Sequence, residues 1–170
     1  AISRHADGLV CAWQTPALAA SQKNIVALRV GRQLAPIDGV PVQLQGNVGE
    51  HAAPKIVTIG ERTYLLHRHG DNRMRLSCYD RSLRPVPGFG NAGVVTLSPD
   101  ARPDDTVPPE LIAVNDQPVC VFPTTGGLGY FLQRFRADNG APVDGASISF
   151  LFHEGRSEER RVGKECRSRW

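Results

Sequence analysis

No stretch of this chain stays apolar for the roughly 20 residues that a membrane-spanning helix requires, and no window holds the 3.6-residue hydrophobic period of an amphipathic helix. Neither a spanning helix nor a helical bundle is therefore expected. Metal-finger spacings are also missing: the four cysteines, at positions 11, 78, 120 and 166, form no CxxC pair and stand beside no histidine at ligand spacing. What the chain has in quantity is punctuation. Its 17 Gly and 13 Pro fall between short apolar runs along the length, the mark of many turns. With 41% hydrophobic residues among them, the expected molecule is globular and mostly β.

The runs between the turns repeat. Ala35-Pro36-Ile37-Asp38-Gly39 returns 106 residues later as Ala141-Pro142-Val143-Asp144-Gly145. Halfway between, Gly93-Val94-Val95-Thr96-Leu97 aligns with Val40-Pro41-Val42-Gln43-Leu44 before it and Ala146-Ser147-Ile148-Ser149-Phe150 after it. A second register pairs Pro54-Lys55-Ile56-Val57-Thr58-Ile59 with Pro109-Glu110-Leu111-Ile112-Ala113-Val114 at a spacing of 55. After a short polar turn, Tyr64-Leu65-Leu66-His67 then matches Val119-Cys120-Val121-Phe122, with Val10-Cys11-Ala12-Trp13 one unit earlier. Self-similarity at a fixed period of this length marks arrays, solenoids and propellers.

Each unit reads as four short strands, those of strand three being Ile25–Val30, Arg75–Tyr79 and Tyr130–Phe135. Their connections carry Asp7-Gly8, Gly70-Asp71-Asn72 and Asp138-Asn139-Gly140, which suit hairpins. Strand two is apolar on both faces, Val10 and Ala12 one way, Cys11 and Trp13 the other, and so needs cover on both sides. A four-stranded antiparallel unit stacked through both faces is a β-propeller blade. The expected fold is all-β: three four-stranded antiparallel repeat units of a truncated β-propeller, spanning 1–49 (N-terminally truncated), 50–103 and 104–155. Buried positions are expected at Val10, Ala12, Leu65, Leu66, Val119 and Val121. An open β-solenoid and a β-sandwich are the competing architectures, and the sandwich leaves the repeat unexplained.

The middle unit carries a family resemblance in Leu76-Ser77-Cys78-Tyr79-Asp80-Arg81-Ser82-Leu83, followed by Gly88-Phe89-Gly90-Asn91-Ala92-Gly93-Val94-Val95-Thr96-Leu97. With its Phe-Gly-x-x-Gly-x-Val core this resembles the delta-sixty repeats of bacterial surface and secreted proteins. The resemblance implies a propeller-like fold in an extracytoplasmic, secreted or cell-surface protein. It implies no catalytic residues.

Composition breaks at Gly155. The run from Arg156 to Trp170 matches no unit, has almost no apolar content, and resembles the conceptual translation of a common sequencing adapter; 156–170 is expected to be a non-native tail. It holds five Arg and one Lys against three Glu, the whole of the chain's formal charge of +3. Without it the chain is neutral, and no nucleic-acid partner is expected.

Candidate chemistry is sparse. His67 and His69 share a strand face, with His51 near in sequence, but His67 occupies the slot of Trp13 and Phe122, so a packing role is expected and a metal site is not. Cys11 and Cys120 are equivalent positions two units apart, too far for a disulfide. With Cys78 they read as small buried hydrophobes, while Cys166 belongs to the tail. Gly126-Gly127-Leu128-Gly129 lacks the Lys-Ser/Thr of a P-loop and joins two strands. Asp100, Asp104 and Asp105 cluster in a Pro-rich loop without EF-hand spacing. No catalytic, cofactor-binding or metal-ligating residue is assigned. The expected function is a non-enzymatic scaffold that binds a protein or carbohydrate ligand through rim loops 15–24, 45–53 and 98–108, with the first set on the other end from the remaining two. The alternative is a fragment of a propeller enzyme, a hydrolase or a quinone-dependent dehydrogenase, whose catalytic residues lie outside this chain.

Overall fold

In a computed structural model the described residues are 1–17, 22–48, 52–97, 108–123, 129–144 and 148–151. They contain strands and turns and no helix. The strands are β1 (Ile2–His5), β2 (Gly8–Pro16), β3 (Lys23–Gly31), β4 (Val42–Val48), β5 (Lys55–Ile59), β6 (Arg62–Arg68), β7 (Met74–Tyr79), β8 (Val94–Thr96), β9 (Glu110–Val114), β10 (Gln117–Pro123), β11 (Gly129–Arg134) and β12 (Ile148–Leu151). They form three four-stranded antiparallel sheets, β1–β4, β5–β8 and β9–β12, each a meander in chain order. None closes on itself. The first strands β1, β5 and β9 lie beside one another in succession. Ser3 Oγ accepts from the Thr58 amide at 2.8 Å and Lys55 pairs with Glu110 at 2.7 Å across those neighbours.

Antiparallel pairing fixes where the connections emerge. Pro16 pairs with Lys23, and Lys23 with Val48, so the β2–β3 and β4–β5 connections leave from one rim, called here the upper. His5 pairs with Gly8, which places the β1–β2 turn on the opposite, lower rim with the β3–β4 turn. This corrects one expectation: the described ends of segment 15–24, at Pro16 and Lys23, lie on the same rim as Val48 of segment 45–53. The bounds of those segments also shift, because Gln45 to Val48 are strand and Val48 and Ala52 are fully buried. β4 likewise begins two residues later than the repeat suggests, since Val40 follows the Asp38-Gly39 turn and is 68% exposed.

Period-2 alternation gives each sheet a forward face, toward the next sheet, and a rear face. Forward Val10, Ala12, Ile25 and Ala27 of the first sheet pack on rear Ile56, Leu65 and Tyr79 of the second, with Leu83 beside them. Forward Tyr64, Leu66, Met74, Leu76 and Cys78 of the second pack on rear Leu111, Cys120 and Phe135 of the third. The middle sheet is thus covered on both faces, which is why β6 runs Thr63 to His67 without an exposed residue. Val10, Ala12, Leu65, Leu66 and Val119 are buried as the strand-two pattern requires. Val119 and Val121 both point forward from the third sheet, where no described sheet covers them; Val119 is 3% exposed all the same, and Val121 is half-buried.

The lower-rim β3–β4 turn recurs in hydrogen-bonded detail. Pro36, Pro85 and Pro142 each form an isolated bridge back to the third strand, to Val30, Tyr79 and Phe135. Ahead of each stands a left-handed residue, Leu34 at φ 60°, Leu83 at 60° and Gly140 at 74°. The amides of Gly31, Asp80 and Arg136 bond the carbonyls of Ala35, Arg84 and Ala141, each at 2.8 Å. In the middle turn the Phe-Gly motif adds a plug between sheets. Phe89 is fully buried with its ring edge-on to Tyr64 at 5.7 Å, and Gly90 donates to the Asn139 carbonyl of the third sheet at 2.8 Å. A Cβ at Gly90, with φ at 56°, would stand 2.3 Å from the Val94 oxygen, so only glycine fits.

Candidate functional site

On the upper rim the strongest polar feature is His67. It sits on the rear face of β6 opposite Arg75 on β7, fully buried, and its Nδ1 and Nε2 find no hydrogen-bond partner among the described residues. Burial, reinforced by His69 and the Arg75 guanidinium, pushes its pKa down to about 3, so the ring is neutral at physiological pH. His69 lies with its ring centroid 6.4 Å away and is shifted down as well, again chiefly by burial. Arg75 is held by Asp71 at 2.9 Å. A neutral imidazole beside the positive Arg75 guanidinium is a poor seat for a cation. Among the described residues no three His, Cys, Asp or Glu side chains converge on a point. His51 lies outside the described residues, as do Asp100, Asp104, Asp105 and Gly126 to Leu128 of the glycine loop.

Cys11 is half-buried on the rear face of the first sheet, and Cys78 and Cys120 are buried in the core between the second and third. All three are free thiols, and the middle sheet stands between Cys11 and Cys120. Burial raises the Cys78 pKa to about 11 and pushes Cys120 up further, so both are protonated thiols and poor nucleophiles. Of the rim segments, 18–21, 49–51 and 98–107 lie outside the described residues.

The lower rim holds what repeat inspection alone misses. Arg29 on β3 grips Asp38 through Nε at 2.9 and 3.0 Å, and its Nη1 crosses to the Arg81 carbonyl of the second sheet at 2.8 Å. The guanidinium beside Asp38 holds that carboxyl below its usual range. At the next seam Arg62 Nη1 and Tyr64 Oη donate to the Ala137 carbonyl at 2.6 and 2.8 Å. Arg81 and Ala137 are the same turn position, each following the residue that opens the turn, so equivalent backbone oxygens are stapled at the two seams by different donors. The Arg81 side chain returns to Asp7 at 3.0 Å and lowers the Asp7 pKa. The third member of that series is Arg32. It lines two shallow clefts on the first sheet of about 460 and 450 Å³, shared with Gly31 and bordered by Arg4, His5 and Asp7. His5 is 5% exposed there, and its Nε2 has no partner among the described residues.

The Asp of Ala-Pro-x-Asp-Gly is explained by these contacts. Arg134 holds Asp144 at 2.6 Å as Arg29 holds Asp38. In the middle sheet both partners change together, to Cys78 and Pro87, and Asp80 instead ties the turn through the amides of Ser82 and Arg84 at 2.8 and 2.9 Å. No family model, curated protein or solved structure matches the chain.

Proposed function

We propose that the chain is three blades, 1–49, 50–103 and 104–155, of a delta-sixty-like β-propeller scaffold in an exported bacterial protein, and that it is non-enzymatic. Its ligand, a protein or a carbohydrate, sits on the upper-rim loops. The observation that carries this is the neighbouring of β1, β5 and β9 while successive sheets pack face to face, the arrangement of blades around an axis. Strand positions are then committed to packing between sheets, which leaves recognition to the connections. Those of 15–24, 45–53 and 98–108 follow second and fourth strands and so share one rim, where a single ligand reaches all three.

The test replaces each loop with a Gly-Ser linker and measures binding on a glycan array and against a displayed peptide library. Loss of one retained ligand on changing any loop is expected. Binding that survives all three replacements but fails on changing an inner-strand residue such as Thr58 would move the site to the axis and favour the enzyme reading.

A further inference from the structure

The first and third sheets each leave one face uncovered by described residues, and the two faces are complementary. The rear face of the first sheet is apolar across β1, β2 and β3: Ile2, Leu9, Cys11, Trp13, Val26 and Leu28 align on it by register. Ile2 is 68% and Trp13 37% exposed. The forward face of the third sheet carries Ile112 and Val114, 45% and 39% exposed, with half-buried Val121 and Leu132. Inside the chain a forward face meets a rear face twice, at the first-to-second and second-to-third seams.

The polar fittings of the first-to-second seam are also present at the open faces. Arg134 is the counterpart of Arg29, pointing forward and holding its aspartate, and its Nη1 corresponds to the nitrogen that Arg29 sends to the Arg81 carbonyl. The counterpart acceptor is the carbonyl of Arg32. Arg81 pairs with Asp7 in the preceding β1–β2 turn, three residues before Val10; the corresponding residue of the third sheet is Asp116, three before Val119. Leu83 is buried at the first seam at 3% exposure, whereas its counterpart Leu34 is 75% exposed. Acceptor, guanidinium and leucine all lie on one turn of the first sheet, and their partners all lie on the third.

We propose that the forward face of the third sheet docks on the rear face of the first sheet of a second copy of this chain, head to tail. Arg134 of one copy then bonds the Arg32 carbonyl of the other, Asp116 pairs with the Arg32 guanidinium, and Trp13 and Leu34 become buried. The contact is heterologous, so it closes a ring or extends a chain of copies. It rests on the packing between sheets and holds whatever the upper rim binds.

The test uses the full chain in sedimentation equilibrium from micromolar to millimolar concentration. Wild type is expected to associate with rising concentration. Trp13→Glu, which spoils only the rear face, and Ile112→Glu, which spoils only the forward face, are each expected to raise the dissociation constant about 30-fold or more. An equimolar mixture of the two is expected to form a 1:1 dimer with near wild-type affinity, since each retains the face the other lacks. At exposed positions that leave the core alone, Arg32→Glu should weaken association about two- to fivefold, with recovery on mixing against Asp116→Arg. Circular dichroism checks that each variant keeps its sheets. A wild type that stays monomeric, a single variant that still self-associates as wild type does, or a mixture that stays monomeric each overturns the proposal, the first by leaving the face to a different protein, the second by showing like faces meeting and the third by showing that forward and rear faces do not dock.

Discussion

The middle sheet and the outer two are built from closely related strands yet live in different environments. β6 is buried from Thr63 to His67 because a sheet covers each face, whereas β2 has Trp13 exposed on its rear side and β10 has Val121 half-exposed on its forward side. The same two-faced strand is thus core in one place and surface in two others. Neighbours, more than strand composition, decide burial here. Substitutions at corresponding positions should therefore differ in cost, and that difference can be measured.

The largest effect is expected at Leu66, fully buried between the second and third sheets. Leu66→Ala should cost about 2–5 kcal/mol in denaturant unfolding, as cavity-forming changes do. Val121→Ala, its counterpart on the third sheet, should cost under about 1 kcal/mol at concentrations where the chain is monomeric. Equal costs would mean that Val121 has cover outside the described residues.

Acid should come next. The folded-state pKa of His67 is depressed to about 3 from an ordinary 6.5, so the unfolded chain binds this proton more readily. Stability is then full above about pH 6.5 and declines as pH falls toward 3. The slope is at most about 1.4 kcal/mol per pH unit, or roughly 2 kcal/mol lost by pH 5 from this group. His67→Phe, which places in the middle sheet the residue type found at the third sheet's Phe122, should flatten that decline; an unchanged pH profile would show that His67 is not its source.

Leu34 and Leu83 share a left-handed backbone but not an environment, and one substitution should separate them. Leu83→Gly loses a buried side chain and should cost about 2 kcal/mol. Leu34→Gly relieves the left-handed conformation without losing a packed contact in the monomer, and should gain about 0.5 kcal/mol by thermal unfolding. Two losses of similar size would make Leu34 part of a monomer core. The smallest effect is expected for removal of 156–170, which should leave Tm unchanged within error; a drop of several degrees would show that this segment packs.

Much of the strand plan was legible because alternation and turn residues are local signals. Val10, Ala12, Leu65 and Leu66 announce themselves by position in a two-faced run, and Pro36 and Pro142 by identical surroundings. The lower-rim staples were not legible, because Arg29 meets Arg81 across 52 residues. One signal for them was nonetheless present in the sequence: the aspartate of Ala-Pro-x-Asp-Gly and an arginine on the preceding strand occur together in two units and vanish together in the third, at Cys78 and Pro87. The rim of segment 15–24 also followed from strand parity, since second-to-third and fourth-to-first connections of a meander must share an end. The open faces were harder to read, because half-exposed Cys11 and buried Cys120 occupy the same place in their strands.

The staple on the turn carbonyl has a genetic consequence. Its acceptor is a main-chain oxygen, supplied by Arg81 at one seam and by Ala137 at the next. No point mutation short of a change in backbone path can delete it, and the donor is free to move from β3 at one seam to β6 at the other. A seam of this kind tolerates in-frame duplication, loss or exchange of a whole four-stranded segment, because the newcomer arrives with half of the joint already made.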